Sequence, residues 1–168
     1  VPSGANIVNS GTATGFGGGK VLQVVHTDFG TLAQTTHPVS CNNTINTSSE
    51  GAEFLSLAIT PAHASNKLVI QVVMHCSHNH ANNFISVNLF QDSTANAIAL
   101  IGCIMERVAN DMHTVVGSHY MTAGTTSATT FKVRAGGNNT GTFSVNGMIT
   151  QYYGGTALTG ITIWELSA

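Results

Sequence analysis

The amino-acid sequence predicts an all-β fold, an antiparallel jelly-roll sandwich of about ten strands. Segments rich in β-branched and aromatic residues recur at intervals of roughly 10–15 residues, a spacing typical of β-sandwiches. Gly, Thr, Asn and Pro separate these segments and favour turns. No segment keeps the periodicity of an amphipathic helix, and the nearest to one, residues 97–112, contains Gly102 and several β-branched residues.

The strand segments follow one another from residue 20. The sequence predicts them at 20–29, 31–40, 52–60, 66–76, 84–92, 97–106, 112–122, 131–137, 141–153 and 154–168, the last two ranges including a loop. Residues 1–19 consist largely of Gly, Ser, Thr, Asn and Ala and cannot bury much apolar surface. We therefore expect a flexible N-terminal arm at 1–19 and one jelly-roll domain at 20–168.

Two of these strands have apolar residues on both faces. In segment 66–76 the alternate residues form one face with Leu68, Ile70, Val72 and Met74 and a second with Val69, Gln71, Val73 and His75. The last strand sets Ile161 and Ile163 against Trp164 and Leu166. Such strands in a small β-domain indicate that one face packs against a partner, and a symmetric homo-oligomer is the usual form of that packing.

The composition limits the classes of partner. Charged residues are 7% of the 168, whereas about 25% is typical of globular proteins. Five Lys and Arg with a net charge of −2 do not form the basic patch that a nucleic-acid backbone requires. The longest apolar run, LVIQVVM, is too short to span a membrane, so we expect no membrane insertion. The odd count of cysteines, Cys41, Cys76 and Cys103, favours small buried side chains over a fully paired disulfide framework.

Catalytic motifs are absent from the sequence. Gly117-Ser118-His119 lacks the flanking glycine of a nucleophile elbow. Glu50 and Glu53 are the closest carboxylates, beside a polar loop, and we expect them on a solvated face. The stretch GFGGGK, residues 15–20, lacks the Ser or Thr of a phosphate loop and leads into a strand. We therefore predict that the protein is not an enzyme.

Several stretches resemble one family in their order along the chain. They are GGGKVLQVV, SLAITPAHASNKLVIQVVMH, NLFQDSTANAIA, AGTTSATTFKVRAGGNNTGTFSVNG and GITIWELSA. Over residues 17–168 the chain resembles the C-terminal domains of phage tail fibres and related virion surface proteins. The resemblance implies a jelly roll similar to the tumour-necrosis-factor-like fold, a homotrimer about a three-fold axis, a place on the virion surface and no chemistry. We expect the trimer interface at Val69, Val73, Trp164 and Leu166.

The stretch VVMHCSHNHANNF, residues 72–84, contains a histidine cluster. His78 and His80 are two residues apart, so their side chains would point the same way in an extended segment. On a three-fold axis they would gather six imidazoles, enough to coordinate a transition metal, as the resemblance to phage fibre tips also suggests. This metal is the one cofactor that the sequence suggests. The alternative is a hydrogen-bonded turn, since Asn79, Asn82 and Asn83 lie among the histidines.

A carbohydrate contact is predicted near the end of the chain. Gln151, Tyr152 and Tyr153 lie in the Gly-bounded loop NGMITQYYGG, which could expose two aromatic rings and an amide at one end of the sandwich. Aromatic platforms with amide and hydroxyl side chains suit sugars. The alternative is that one tyrosine packs at the subunit interface with its hydroxyl group hydrogen-bonded.

Three functions follow from these features. A tail-fibre tip would contact host-surface glycans through end loops at 77–83, 107–111 and 150–156. A capsid decoration or cement protein would grip the capsid through the arm at 1–19, which would become ordered on binding. A metal-dependent lectin unrelated to virions would lose binding on chelation. The first is the principal prediction, with the chain itself, other virion proteins and a host glycan as partners.

Overall fold

A computed structural model describes residues 20–168, and the predicted arm at 1–19 lies outside the described residues. The described residues form ten strands and one short 3-10 turn (Tyr153–Gly155). The strands are β1 (Val21–Phe29), β2 (Ala33–Thr35), β3 (Ala52–Ile59), β4 (Lys67–His78), β5 (Asn83–Gln91), β6 (Ala99–Glu106), β7 (His113–Thr122), β8 (Thr129–Gly137), β9 (Phe143–Val145) and β10 (Thr159–Leu166). No helix in this part of the chain is long and apolar enough to cross a membrane.

The first sheet is centred on β4, the longest strand. One edge of β4 pairs with β7, and the other pairs with β10 along residues 67–73 and with β9 along residues 76–78. Strand β1 lies outside β10, and β2 lies outside β9. At the junction between β10 and β9, the His75 N–H group donates to the Thr159 hydroxyl oxygen at 3.0 Å. A side chain thus completes the hydrogen bonding of β4 where its partner strand changes.

The second sheet has the order β3-β8-β5-β6, and every strand pair in both sheets is antiparallel. The pairs β1 with β10, β3 with β8, β4 with β7 and β5 with β6 are nested along the chain. This is the pattern of one long hairpin wrapped into two facing sheets, which is a jelly roll. The predicted fold class is therefore confirmed.

The core lies between the two sheets and follows the alternation seen in the sequence. Along β4 the residues Leu68, Ile70, Val72, Met74 and Cys76 are fully buried, and they meet the inner residues of β5, β8 and β10. Burying one such aliphatic side chain contributes about 1.5–3 kcal/mol. The opposite face of β4 is left partly exposed, which positions the candidate site described below.

Three local expectations differ from the structure. The strand predicted at 31–40 is reduced to β2 because the chain leaves the sheet before Pro38, which lacks a backbone N–H group. The strand within 141–153 is reduced to β9 because Asn146 has a left-handed backbone with φ of 63°. Cys76 is buried as expected, but Cys41 and Cys103 are exposed. Cys41 lies in a loop and Cys103 on a solvent-facing position of β6.

Candidate functional site

The face of the first sheet that points away from the core carries an apolar row, and we call it the outer face. Strand register places Val24 beside Trp164, Trp164 beside Val69, and Val69 beside Tyr120. Val24 is 51% and Tyr120 60% exposed, while Trp164 and Val69 are partly exposed. The row therefore crosses all four of the strands β1, β10, β4 and β7 and is open to solvent in a single chain.

A second apolar pair lies four residues further along β4 and β7. Val73 is paired with Val116, which is 58% exposed. Among the described residues of the outer face, the charged side chains are Lys67 and Asp28, and Asp28 accepts a hydrogen bond from His26 at 3.0 Å. A face with few charges needs little desolvation of ions when another protein surface covers it.

The four residues predicted from the sequence to form an interface, Val69, Val73, Trp164 and Leu166, share this outer face. Sequence reasoning misses Val24, Val116 and Tyr120. The polar residues Ser118 and Thr122 interrupt the apolar alternation of β7, so its outer face is not obvious from the sequence.

A groove of about 400 Å³ lies at the end of the outer face, and we call it the end groove. It is lined by His75, Met112, Thr114, Tyr153, Thr156 and Ala157. His75 Nδ1 and the Thr114 hydroxyl oxygen are hydrogen-bonded at 2.9 Å. The groove thus combines one aromatic ring, an imidazole and hydroxyl groups, without a charged carboxylate or ammonium group in its lining.

Two predicted glycan-contact residues are exposed beside this groove. Tyr152 is 40% and Tyr153 73% exposed, with ring centroids 6.4 Å apart and ring planes inclined at 55°. Tyr153, Gly154 and Gly155 have positive φ values, which make the tight turn that presents the tyrosines. Gln151 is exposed as well, and its Nε2 donates a long hydrogen bond of 3.5 Å to the Gly30 carbonyl oxygen. The structure therefore brings Tyr153 into the groove wall and places Gln151 at the base of the loop.

A buried amide anchors this loop to the sandwich. Asn146 is fully buried, and its Nδ2 donates to the carbonyl oxygens of Phe29 at 2.8 Å and Thr31 at 3.2 Å. Its Oδ1 accepts from the Thr159 hydroxyl at 2.7 Å. Close approach of Gly30 and Gly155 adds a second attachment, since a Cβ atom on Gly30 would lie 2.0 Å from the Gly155 carbonyl oxygen. The loop that presents the tyrosines is thus fixed at its base.

The predicted end loops 77–83 and 107–111 also meet. The Asn110 N–H group donates to the His78 carbonyl oxygen at 2.8 Å. The fully buried Glu106 accepts from the Asp111 N–H group at 2.8 Å, and its other oxygen lies 2.9 Å from His113 Nε2. Burial raises the pKa of Glu106 above its usual range, against the lowering effect of these neighbours. This carboxyl group holds the connection from β6 to β7.

His78 and His80 differ from the expectation that their rings point the same way. Strand β4 ends at His78, and the chain then bends, so the two rings lie nearly perpendicular at 81° with centroids 5.8 Å apart. The His78 ring is buried, its Nδ1 accepts the His80 N–H group at 3.1 Å, and burial lowers its pKa. In the described part of one chain, no group of three or more His, Cys, Asp or Glu residues is placed to hold a metal ion. These two imidazoles do not fit a metal site within one chain, and a site shared between chains stays a prediction.

Comparison with known proteins identifies no family. No family model and no curated protein matches the chain. Three similar solved structures are an Eiger tumour necrosis factor from S. frugiperda, the sugar-binding C-terminal domain of EclA, and the VP2 subviral particle of infectious bursal disease virus. Their identities are 8%, 17% and 8%, and their TM-scores are 0.48, 0.35 and 0.43. The matches cover 86%, 82% and 87% of this chain and 93%, 85% and 42% of those chains. At these scores the likenesses establish neither a family nor a function.

Proposed function

We propose that the protein is a non-enzymatic surface protein of a phage particle, a homotrimer that attaches to host-surface glycans through its end loops. The proposal rests on one observation, that the end groove lies at the end of the exposed apolar outer face. The apolar outer face supports self-association, and the end groove supports a ligand of sugar-like chemistry. The place on a virion rests on the resemblance of the sequence to phage tail-fibre C-terminal domains.

Self-association follows from the exposure of the apolar row. Monomeric proteins rarely leave a contiguous apolar patch of this kind open to water. Homo-oligomers close this type of surface by rotational symmetry, and a three-fold axis is one such closure. Because the described residues of the outer face include just two charged side chains, Lys67 and Asp28, three copies can meet there at a small cost of ion desolvation.

Glycan attachment follows from the lining of the end groove. The Tyr153 ring offers an apolar platform for the CH face of a sugar, and His75, Thr114 and Thr156 offer hydrogen-bonding groups around it. In a trimer built on the outer face, the three end grooves lie at the same end of the assembly. Three weak sites that bind together raise the apparent affinity by orders of magnitude.

The proposal is tested by binding of the purified protein to arrayed cell-surface glycans, with Tyr153→Ala and Tyr153→Phe variants. We expect at least one glycan class to be retained by the wild-type protein, a loss of about tenfold or more for Tyr153→Ala, and near-normal binding for Tyr153→Phe, which keeps the ring. Truncation of this exposed side chain costs little stability, so both variants should fold. Failure to bind any glycan, or equal binding by all three proteins, contradicts the glycan assignment.

The place on the virion has a separate measurement, the copy number per purified particle by quantitative mass spectrometry. A small multiple of three supports a fibre or spike tip. A number comparable to that of the major capsid protein points instead to a decoration protein held by the arm at 1–19. Absence from particles contradicts the virion assignment and leaves a free lectin.

A further inference from the structure

A cleft of about 550 Å³ lies on the second sheet, on the opposite side of the sandwich from the outer face. Residues 40–46 form one wall, and residues of β5 and β6 form the other. Each wall contributes one exposed cysteine, Cys41 from the loop and Cys103 from β6. Cys41 and Cys103, far apart in the sequence, thus line the same cleft, and Cys103 is near enough to contribute to the raised pKa of Cys41.

We infer that Cys41 and Cys103 form a reversible disulfide that fastens the loop 40–46 to β6. The two thiols line opposite walls of one cleft, and Cys41 lies in an irregular segment that can move to bring its sulfur to S–S bonding distance. Both thiols are accessible to a small-molecule oxidant. The third thiol, Cys76, is fully buried in the core and has no such access.

The loop that carries Cys41 is held in place by hydrogen bonds. The Glu50 carboxylate accepts the Ser40 N–H group at 2.9 Å and the Thr47 N–H group at 2.7 Å, one at each end of the loop. Asn46 Nδ2 donates to the Ser40 carbonyl oxygen at 2.7 Å, which closes the same loop on itself. Cys41 is therefore presented to Cys103 by a folded loop and does not depend on a chance encounter.

The reaction is a thiol–disulfide exchange with a small-molecule disulfide such as oxidised glutathione. One protein thiolate attacks the oxidant, forms a mixed disulfide and releases one small thiol. The second protein thiolate then attacks the protein sulfur of that mixed disulfide and releases the second small thiol. Two protein S–H bonds are replaced by one S–S bond, and the two protons and two electrons end on the two released thiols. Burial and the neighbouring Cys103 raise the pKa of Cys41 to about 11, so the reaction accelerates as the pH rises above neutral.

The disulfide would fix the width of the cleft and stabilise the domain. It closes a long loop of the chain, which restricts the unfolded state, and should raise the melting temperature by on the order of 10 °C. Since the cleft is on the second sheet, the bond can form and break without disturbing a trimer built on the outer face.

The test treats the fully reduced, folded protein with oxidised glutathione in mildly alkaline buffer. We expect a mass loss of two hydrogen atoms, a non-reduced digest in which the peptides of Cys41 and Cys103 are joined, a free Cys76 and the higher melting temperature. Cys41→Ser and Cys103→Ser should each show neither the joined peptides nor the temperature shift. Their reduced forms should melt close to the reduced wild-type protein, which shows that they fold. Glutathione adducts on both cysteines of the wild-type protein, or disulfide-linked oligomers on a non-reducing gel, would overturn the inference.

Discussion

At the scale of single residues, the most consequential polar side chain is Glu165. It is fully buried between strands although its neighbours Trp164 and Leu166 are partly exposed. Its carboxylate accepts hydrogen bonds from the side chains of Gln23 and Asn66 and from the Ala62 N–H group at 2.8 Å. Burial alone would raise the pKa of Glu165, but these donors outweigh it and hold the pKa below its usual range.

Glu165→Gln is expected to destabilise the protein by about 2 kcal/mol at neutral pH, because an amide NH₂ group would face donors that now share a carboxylate. The pKa is lower in the folded state than in the unfolded state. The stabilisation by the wild-type carboxylate is therefore complete above the unfolded pKa and is lost as the pH falls through the folded pKa. Urea unfolding measures the difference in the free energy of unfolding between wild type and variant. This difference should be smaller in acid than at neutral pH. A difference that stays constant with pH contradicts this account, and Glu53→Gln, at an exposed position of the second sheet, serves as the near-neutral control.

The sequence could not reveal these residue-scale roles. The alternation of Ile161, Ile163 and Glu165 places a carboxylate on the inward face of β10. From the sequence alone, a charged side chain at an inward position argues against this strand register. The donors that satisfy it come from β1 and from the connection between β3 and β4, distant in sequence. Likewise the placement of Cys41 and Cys103 at one cleft follows from tertiary packing and leaves no spacing motif.

At the scale of elements, the loop between β2 and β3 depends on one carboxylate. Glu50 accepts the N–H groups of Ser40 and Thr47 and the Thr47 hydroxyl, which gives it a structural role in place of the expected solvated face. Burial acts against ionisation, but these hydrogen bonds prevail and lower the pKa of Glu50 to about 2. Glu53 fits the expectation better, since its half-exposed carboxylate lies 3.9 Å from both Lys132 and Arg134.

Glu50→Gln is expected to loosen the loop without unfolding the sheets. Amide hydrogen exchange at Ser40 and Thr47 should become about 10- to 100-fold faster, the change expected when a hydrogen bond to a charged group is lost. In the wild-type protein the same protection should be present above the unfolded pKa of Glu50 and be lost as the pH falls to about 2. Glu53→Gln is the matched control, because its carboxylate accepts no hydrogen bond from a backbone amide of residues 20–168. Equal amide exchange rates in the Glu50→Gln and Glu53→Gln variants would contradict the role of Glu50 in holding this loop.

At the scale of the whole molecule, the fold was more predictable than the site. Alternation in β4 and β10 is a local property of the sequence, and it located both the core and the interface candidates Val69 and Trp164. The nested pairing of strands is also implied by their number and their short turns. The apolar row is different, because Val24 and Tyr120 join it only through the register of four strands. The end groove similarly depends on turns with positive φ, which hydrophobic patterns do not encode.

The proposed trimer depends on the outer face and has a matched pair of test substitutions. Tyr120 and Leu100 are 60% and 59% exposed and lie on opposite sheets, so a change to Asp at either position should leave the single chain folded. In a trimer built on the outer face, Tyr120→Asp buries an unpaired carboxylate, whose cost of several kcal/mol weakens association by about a thousandfold or more. We expect sedimentation velocity at micromolar concentration to give a trimer for the wild type and for Leu100→Asp, and a monomer for Tyr120→Asp. Dissociation by Leu100→Asp alone would place the interface on the second sheet, and a monomeric wild type would refute the trimer.

The Tyr120→Asp monomer should keep a weak single-site affinity for any glycan that the trimer binds, because the substitution leaves Tyr153 in place. This measurement separates the role of the outer face from that of the end groove.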